Sequence, residues 1–158
     1  MFREIVRKKQ AISREECIEV LKGQPRGVLA VNGDDGYPYC ATINHWYNEE
    51  DGKIYFHGNK HGHRVDAMKA CDKACFTALA EPEKEPGDWW YHVKSVICFG
   101  RLREVTDPET HDEKLRKFGG KYFPGVDLLE EEMRHSAHRA ALLELTIEHC
   151  TGKQIQEK

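Results

Sequence analysis

The fold class of this chain is best indicated by residues 27–57, GVLAVNGDDGYPYCATINHWYNEEDGKIYFH. Three runs within them, 27–32, 37–47 and 53–57, are rich in the β-branched and aromatic residues that favour strands. The intervening GDDG and NEEDG segments carry the Gly, Asp and Asn that form tight turns. The stretch therefore predicts a three-stranded antiparallel meander with short connections.

The third run continues into YFHGNKHGHRVDAM at residues 55–68, where a strand is followed by a basic, glycine-rich loop and then a helix. The start of a helix offers unpaired N–H groups and the positive end of the helix dipole, and both stabilise an anion. Lys60, His61, His63 and Arg64 add charge, and Arg64 can bind two phosphate oxygens at once. The loop predicts a phosphate site, and a solvated basic loop that only caps the helix is the alternative.

Helix signals and strand patterns cover the rest of the chain. SREE at 13–16 is a capping box that opens a helix over 14–22. Asp107 and Pro108 open another helix, which ends near Phe118. Further helices are expected from Val65 and over 128–140, and further strands over 74–80, 89–105 (with a bulge at Gly100) and 142–149. Six antiparallel strands with peripheral helices predict one α+β domain, mainly β, over residues 1–158: a six-stranded split β-barrel.

Bulk composition excludes several classes of protein. The 158 residues carry 27 acidic and 24 basic side chains, a net charge of −3, which leaves no broad basic face for nucleic acid. No apolar run approaches the ~20 residues of a membrane span, and the first residues lack the apolar segment of a signal peptide. We therefore expect a cytoplasmic protein that binds neither nucleic acid nor membrane.

The six cysteines are scattered through segments that resemble the interiors of helices and strands, so reduced thiols are expected rather than a disulfide framework. His57, His61, His63 and Cys75 are zinc-type ligands, and a metal-dependent binding protein is one alternative. Because the tight CxxC and HExxH spacings are missing from the sequence, no metal site is predicted.

Several fragments in the same order resemble the pyridoxamine 5'-phosphate oxidase-like superfamily of flavin-binding split barrels, in its 5-nitroimidazole resistance branch. They are GYPY at 36–39, DGKIYFH at 51–57, GHR at 62–64, SVICFGR at 95–101 and LTIEHCTGK at 145–153. The resemblance covers nearly the whole chain. It implies a homodimer with FMN bound at the subunit interface.

The same resemblance implies a set of cofactor contacts. The strand after the first turn would lie along the isoalloxazine, the end of the next strand would lie near the ribityl chain, and the basic loop would hold the phosphate. The partner subunit would complete the site, although Trp90 could instead pack the interface. In that order the implied residues are Tyr39, Cys40, Ala41, Thr42 and Asn44; His57; Lys60, His63 and Arg64; and Trp90, Ser95 and Val96.

The implied activity is an FMN-dependent oxidoreductase that passes a hydride from NAD(P)H through FMN to a small acceptor, possible acceptors being nitroimidazoles and other nitroaromatic compounds. No catalytic residue is predicted. The alternative is a non-catalytic dimeric barrel that stores or senses flavin or haem, with His57 or His61 as an axial ligand.

Overall fold

The computed structural model describes residues 2–156, and four α-helices and seven strands lie within them. The helices are α1 (Arg14–Gly23), α2 (His63–Ala70), α3 (Pro108–Gly120) and α4 (Val126–Ser136). The strands are β1 (Arg26–Asn32), β2 (Pro38–Asn44), β3 (Trp46–Asn48), β4 (Lys53–Asn59), β5 (Lys73–Leu79), β6 (His92–Glu104) and β7 (Ala140–Gln156). No helix in this part of the chain is long and apolar enough to cross a membrane.

The seven strands form one antiparallel sheet in the order β2-β1-β5-β6-β7-β4-β3. Only His45 separates β2 from β3 in sequence, yet these two strands are the opposite edges of the sheet. The sheet must therefore curl until its edges meet at His45, which makes it a split β-barrel. The predicted α+β, mainly β class is confirmed, and the predicted number of six strands is wrong by one.

The additional strand arises because residues 37–47 are not one strand. The backbone of His45 leaves the strand ladder: its N–H donates to the Tyr122 hydroxyl at 2.9 Å, and its carbonyl accepts from Lys121 Nζ at 3.0 Å. β1 and β2 form the predicted hairpin, but β4 pairs with β3 and β7 instead of joining a meander. Contacts with the end of α3 thus divide a segment that reads as continuous in sequence.

Local signals place most other elements correctly. The capping box opens α1, with the Ser13 N–H donating to Glu16 at 2.9 Å and the Glu16 N–H donating to Ser13 Oγ at 3.1 Å. The strand register shifts between Phe99 and Gly100, which confirms the bulge at Gly100. The expectation of strand at 89–91 is wrong, because β6 begins at His92. The last strand extends seven residues beyond its predicted end.

Two hydrophobic clusters cover the two sides of the sheet. The barrel interior holds side chains such as Phe56, Phe76 and Leu143, against which α1 and α2 pack. The second cluster lies outside the barrel, where Tyr55 and Leu142 pack against α3 and α4. β4 and β7 therefore bury both of their faces, and neighbouring apolar residues on these strands belong to different clusters. This outer layer brings α3 and α4 over the end of β4, next to His57.

Candidate functional site

The basic loop joins β4 to α2, as predicted, and α2 begins at His63. Gly62 is the N-cap residue with a φ of +119°, a conformation that suits glycine, and no side chain caps the helix. The carbonyl of Gly62 accepts from the N–H groups of Val65 and Asp66. The first amide groups of α2 are thus left for another acceptor, which is the arrangement that binds anions.

Arg64 folds back across the end of β4. Its guanidinium group lies where a side chain at Gly58 would be, so a methyl group at that position would overlap it. Arg64 Nε is buried and forms no hydrogen bond within the described residues. Because a buried donor without an acceptor is costly, this geometry suits the binding of an anion.

His57 lies near the end of β4, on the face that α3 covers. Its ring packs against Phe118 at a centroid distance of 4.9 Å, although the side chain as a whole is exposed. Partial burial of the ring and the charge of Arg64 lower the pKa of His57 below its ordinary value. The lowered pKa favours the neutral imidazole, and neither ring nitrogen has a hydrogen-bond partner among residues 2–156.

His63 connects the loop to β2. Its ring lies 4.2 Å from that of Tyr39, centroid to centroid, and its Nε2 lies 3.5 Å from Asp34 Oδ2. Lys60 is exposed and makes no ion pair in the described part of the chain. The structure thus brings Tyr39 next to His63 and the charge of Arg64 to bear on His57, with Lys60 on the same loop.

The remaining β2 candidates point to two sides of the sheet. The burial pattern turns Ala41 toward the barrel interior, whereas Cys40 and Thr42 are exposed on the outer face together with the half-buried Asn44. Strand geometry alternates side chains in this way, so a ligand running along β2 could meet all of these residues only through the backbone.

The three candidates assigned to a partner subunit lie away from the basic loop within one chain. Val96 is fully buried in the barrel, and its carbonyl accepts from Thr77 Oγ1 at 2.9 Å. Neither the side chain nor the backbone of Val96 is therefore accessible within one chain. Ser95 is half-buried and lines a separate depression with the N-terminal segment and the end of β7. Trp90 lies in the loop before β6, its ring packed edge-to-face against Trp89.

No metal site is formed by the described residues: no group of three or more His, Cys, Asp or Glu side chains is arranged to hold an ion. His63 contacts Tyr39, His57 contacts Phe118, and Cys75 lies on the outer face of β5. The zinc ligands considered from sequence are therefore dispersed, and all six cysteines are free thiols.

Sequence reasoning missed a cavity of about 310 Å³ between α3, α4 and the sheet. Asn44 and His57 line its sheet side, and most of the remaining wall is apolar. From α3 onward these apolar residues are Leu115, Phe118, Tyr122, Phe123, Leu129, Met133, Ala137 and Ala140. The signal available in sequence is the group of aromatic residues on either side of Gly119, Phe118, Tyr122 and Phe123, which also marks the end of a helix.

The chain was compared with known proteins. The family model described as pyridoxamine 5'-phosphate oxidase matches residues 13–154. A protein from Bacteroides thetaiotaomicron described as a candidate 5-nitroimidazole antibiotic resistance protein has a TM-score of 0.77 at 16% identity, over 92% of this chain and 87% of that protein. No curated protein matches the chain.

Two further solved structures have the same fold. A FAD-binding protein from Mesorhizobium loti has a TM-score of 0.66 at 23% identity, over 92% of this chain and 97% of that one. A flavocytochrome from Azotobacter vinelandii has a TM-score of 0.75 at 22% identity, over 95% of this chain and 72% of that one. At such identities these similarities establish the fold alone.

Proposed function

The chain belongs to the pyridoxamine 5'-phosphate oxidase family, and we propose that it is an FMN-dependent oxidoreductase. When bound, FMN supplies the redox chemistry, accepting a hydride from NAD(P)H and releasing it to a small acceptor such as a nitroimidazole or another nitroaromatic compound. The protein positions the cofactor, provides the electrostatic environment and admits the acceptor.

The observation that carries this proposal is the position of Arg64. Its buried Nε lacks an acceptor, its guanidinium group lies over Gly58, and it stands at the uncapped start of α2. A phosphate group at this place would accept from Arg64 and from the first amide groups of α2, with Lys60 and His63 close by in sequence. The residues present therefore fit the phosphate end of FMN.

Similar structures support a flavin, since one is named FAD-binding and another a flavocytochrome. FMN is favoured over FAD because the basic loop provides one anion site, formed by Lys60, His63, Arg64 and the helix start, and FMN has one phosphate. The flavin released from purified protein by heat, identified by chromatography, distinguishes the two cofactors. Recovery of FAD alone would contradict the FMN assignment.

In the proposed complex, the isoalloxazine lies along β2. The backbone of Tyr39, Cys40, Ala41 and Thr42 offers hydrogen-bonding groups to its polar edge, and Asn44 offers a side-chain amide. His57 is on the strand that leads to the basic loop and feels the charge of Arg64, so we place it near the ribityl chain. Donors directed at the flavin carbonyls would stabilise the negative charge of the reduced ring.

We propose that the chain forms a homodimer and that the outer face of the sheet is its interface. One row across four strands is Thr42, Val28, Thr77 and Ile97, and the next is Cys40, Ala30, Cys75 and Phe99. No member of either row is charged, and such surfaces are typical of interfaces. In a dimer through this face, Trp90, Ser95 and Val96 of one subunit would approach the flavin of the other.

We also propose that the protein is located in the cytoplasm.

A dimer through this face should be disrupted by Thr77→Arg, because the substitution buries an unpaired charge in each copy. Lys73→Arg, which keeps an exposed charge on the same strand, is the matched control. Light scattering after size-exclusion chromatography measures the mass of each variant. If the wild-type protein is monomeric, the proposed interface is wrong.

A non-catalytic barrel that stores or senses flavin or haem is the second candidate. It is favoured by the exposed His57 ring, whose nitrogens are unbonded in the described chain, and by the flavocytochrome among the similar structures. Either His57 or His61 would then be the axial ligand. The visible spectrum of freshly purified protein separates the readings, because flavin has two broad near-ultraviolet and blue bands and haem has one sharp Soret band.

The activity itself is tested by oxidation of NADH and NADPH with the FMN-loaded protein and a nitroaromatic acceptor. Turnover above that of the same concentration of free FMN is expected. If the loaded protein binds flavin but turns over no faster than free FMN, the storage or sensing function is correct and the enzymatic one is wrong.

A further inference from the structure

The cavity between α3 and α4 is separate in character from the basic loop. We propose that it binds a small, uncharged, planar aromatic compound, whose polar substituent bonds to Asn44 and His57. The claim that this compound is the electron acceptor rests on the function proposed above. The claim that the cavity binds it depends only on the residues that line the cavity.

Size and wall chemistry limit the ligand. A cavity of about 310 Å³ lies at the lower end of the ~300–1,000 Å³ that is usual for small-molecule sites. Phe118, Tyr122 and Phe123 present aromatic rings on the α3 side, and Leu129 and Met133 present aliphatic surface on the α4 side. Stacking and apolar burial therefore favour a planar molecule of one or two rings.

Charge excludes anions from the same space. Among the described residues that line the cavity, Glu132 is the one acidic side chain, and none is Lys or Arg. The lowered pKa of His57 favours its neutral ring. An anionic ligand would lose its hydration and be repelled by Glu132, without a cation in the wall to compensate. The α2 loop has the opposite preference, since Lys60 and Arg64 are its charged groups.

Two polar side chains on one side of the cavity would determine how a ligand is oriented in it. Asn44 at the end of β2 and His57 on β4 both line its sheet side, and neither forms a side-chain hydrogen bond with residues 2–156. An amide and a neutral imidazole provide both donors and acceptors. A ligand with its ring between α3 and α4 and a carbonyl, amide or nitro group toward the sheet would bond to one polar group of each side chain. The other amide group of Asn44 remains for the flavin contact proposed above.

Methionine methyl NMR provides the test, because Met133 lines the cavity and Met68 is buried in the barrel core. Benzamide and benzoate serve as probes, since they have nearly the same shape and differ in charge. Benzamide should shift the Met133 methyl signal and leave that of Met68 in place. Benzoate should bind at least about tenfold more weakly, because its charge must be buried without a partner. Equal affinity for the two probes, or no shift at Met133, would overturn the proposal.

A matched pair of variants on α4 tests the location. Ser136 lines the cavity, and Ser136→Phe should fill it and weaken benzamide binding by at least about tenfold, since a filled site has no room for the ring. Glu131 is exposed on the same helix, and Glu131→Phe should bind benzamide as the wild-type protein does. Equal binding by both variants would refute the location. If Ser136→Phe fails to fold, the comparison of the two probes on wild-type protein still decides.

The titrations are made with and without FMN, so that the two proposals fail separately. A protein that does not bind FMN but shows the benzamide shift retains the cavity site and loses the proposed function. If FMN itself moves the Met133 signal and displaces benzamide, the cavity holds the flavin ring and the inference of a separate aromatic site is wrong.

Discussion

Replacing Arg64 by alanine is the most direct test of the phosphate site. The substitution removes a guanidinium group whose buried Nε has no hydrogen-bond partner in the described chain, so no internal hydrogen bond of Nε is lost. A charge-assisted contact to phosphate contributes roughly 1.5–3 kcal/mol. The affinity for FMN should therefore fall roughly 10- to 150-fold, at about 1.4 kcal/mol for each factor of ten.

Riboflavin distinguishes a phosphate contact from a structural role of Arg64. It has the same ring and ribityl chain as FMN but no phosphate, so its affinity should be nearly unchanged in Arg64→Ala. Flavin fluorescence quenching, measured for both ligands side by side, gives the two dissociation constants. Lys69→Ala is the matched control, because Lys69 is an exposed cation near the other end of α2. The Lys69→Ala variant should bind FMN and riboflavin with the same affinities as the wild-type protein.

The same variant has a second, spectroscopic consequence. Because the charge of Arg64 contributes to the lowered pKa of His57, that pKa should rise in Arg64→Ala, as followed by NMR of the imidazole ring. Equal losses of FMN and riboflavin affinity would mean that Arg64 supports the fold of the loop. The assignment of Arg64 to a phosphate site would then be wrong.

Three further predictions concern the loop and the barrel closure. Gly58→Ala should displace the Arg64 guanidinium group and weaken FMN binding more than riboflavin binding, as the same titrations show. Tyr122→Phe should lower the free energy of unfolding in urea by about 1–3 kcal/mol, because it removes the hydroxyl bonded to the His45 backbone, whereas Tyr91→Phe, at an exposed ring, should have little effect. His45 is buried, and burial lowers its pKa to about 4. Between pH 6.5 and 4 the unfolded chain therefore takes up a proton at this residue that the folded chain does not. The free energy of unfolding should fall by up to about 3 kcal/mol as the pH is lowered over this range. Urea titrations across this range should show a smaller loss in His45→Gln, and an equal loss in that variant would contradict the assignment.

The sequence predicted those parts of the fold that depend on neighbouring residues. The capping box at Ser13, the hairpin of β1 and β2 and the helix start after Gly62 all rest on signals within a few positions. The division at His45 could not be predicted in this way. The break in the strand depends on Tyr122 and Lys121, which are 77 and 76 residues from His45 in sequence. No pattern within residues 37–47 indicates that the strand ends at His45.

The same distinction separates the two parts of the candidate site. The basic loop was predicted because its charges, glycines and helix start are adjacent in sequence. The cavity was missed because Asn44 and His57 lie on strands, whereas Phe118 and Met133 lie on helices that follow much later. Their meeting depends on α3 and α4 packing on the outer face of β4 and β7, which no local pattern specifies.

His57 is where the two proposed sites meet. Its ring packs against Phe118 and the charge of Arg64 acts on it, so it is in reach of both the charge that attracts phosphate and the rings that favour an uncharged ligand. A protonated His57 would extend the positive charge of the loop into the cavity and make the two pockets alike. Because partial burial and Arg64 favour the neutral imidazole, the basic loop selects an anion while the cavity selects an uncharged ring, and two different molecules can be held next to each other.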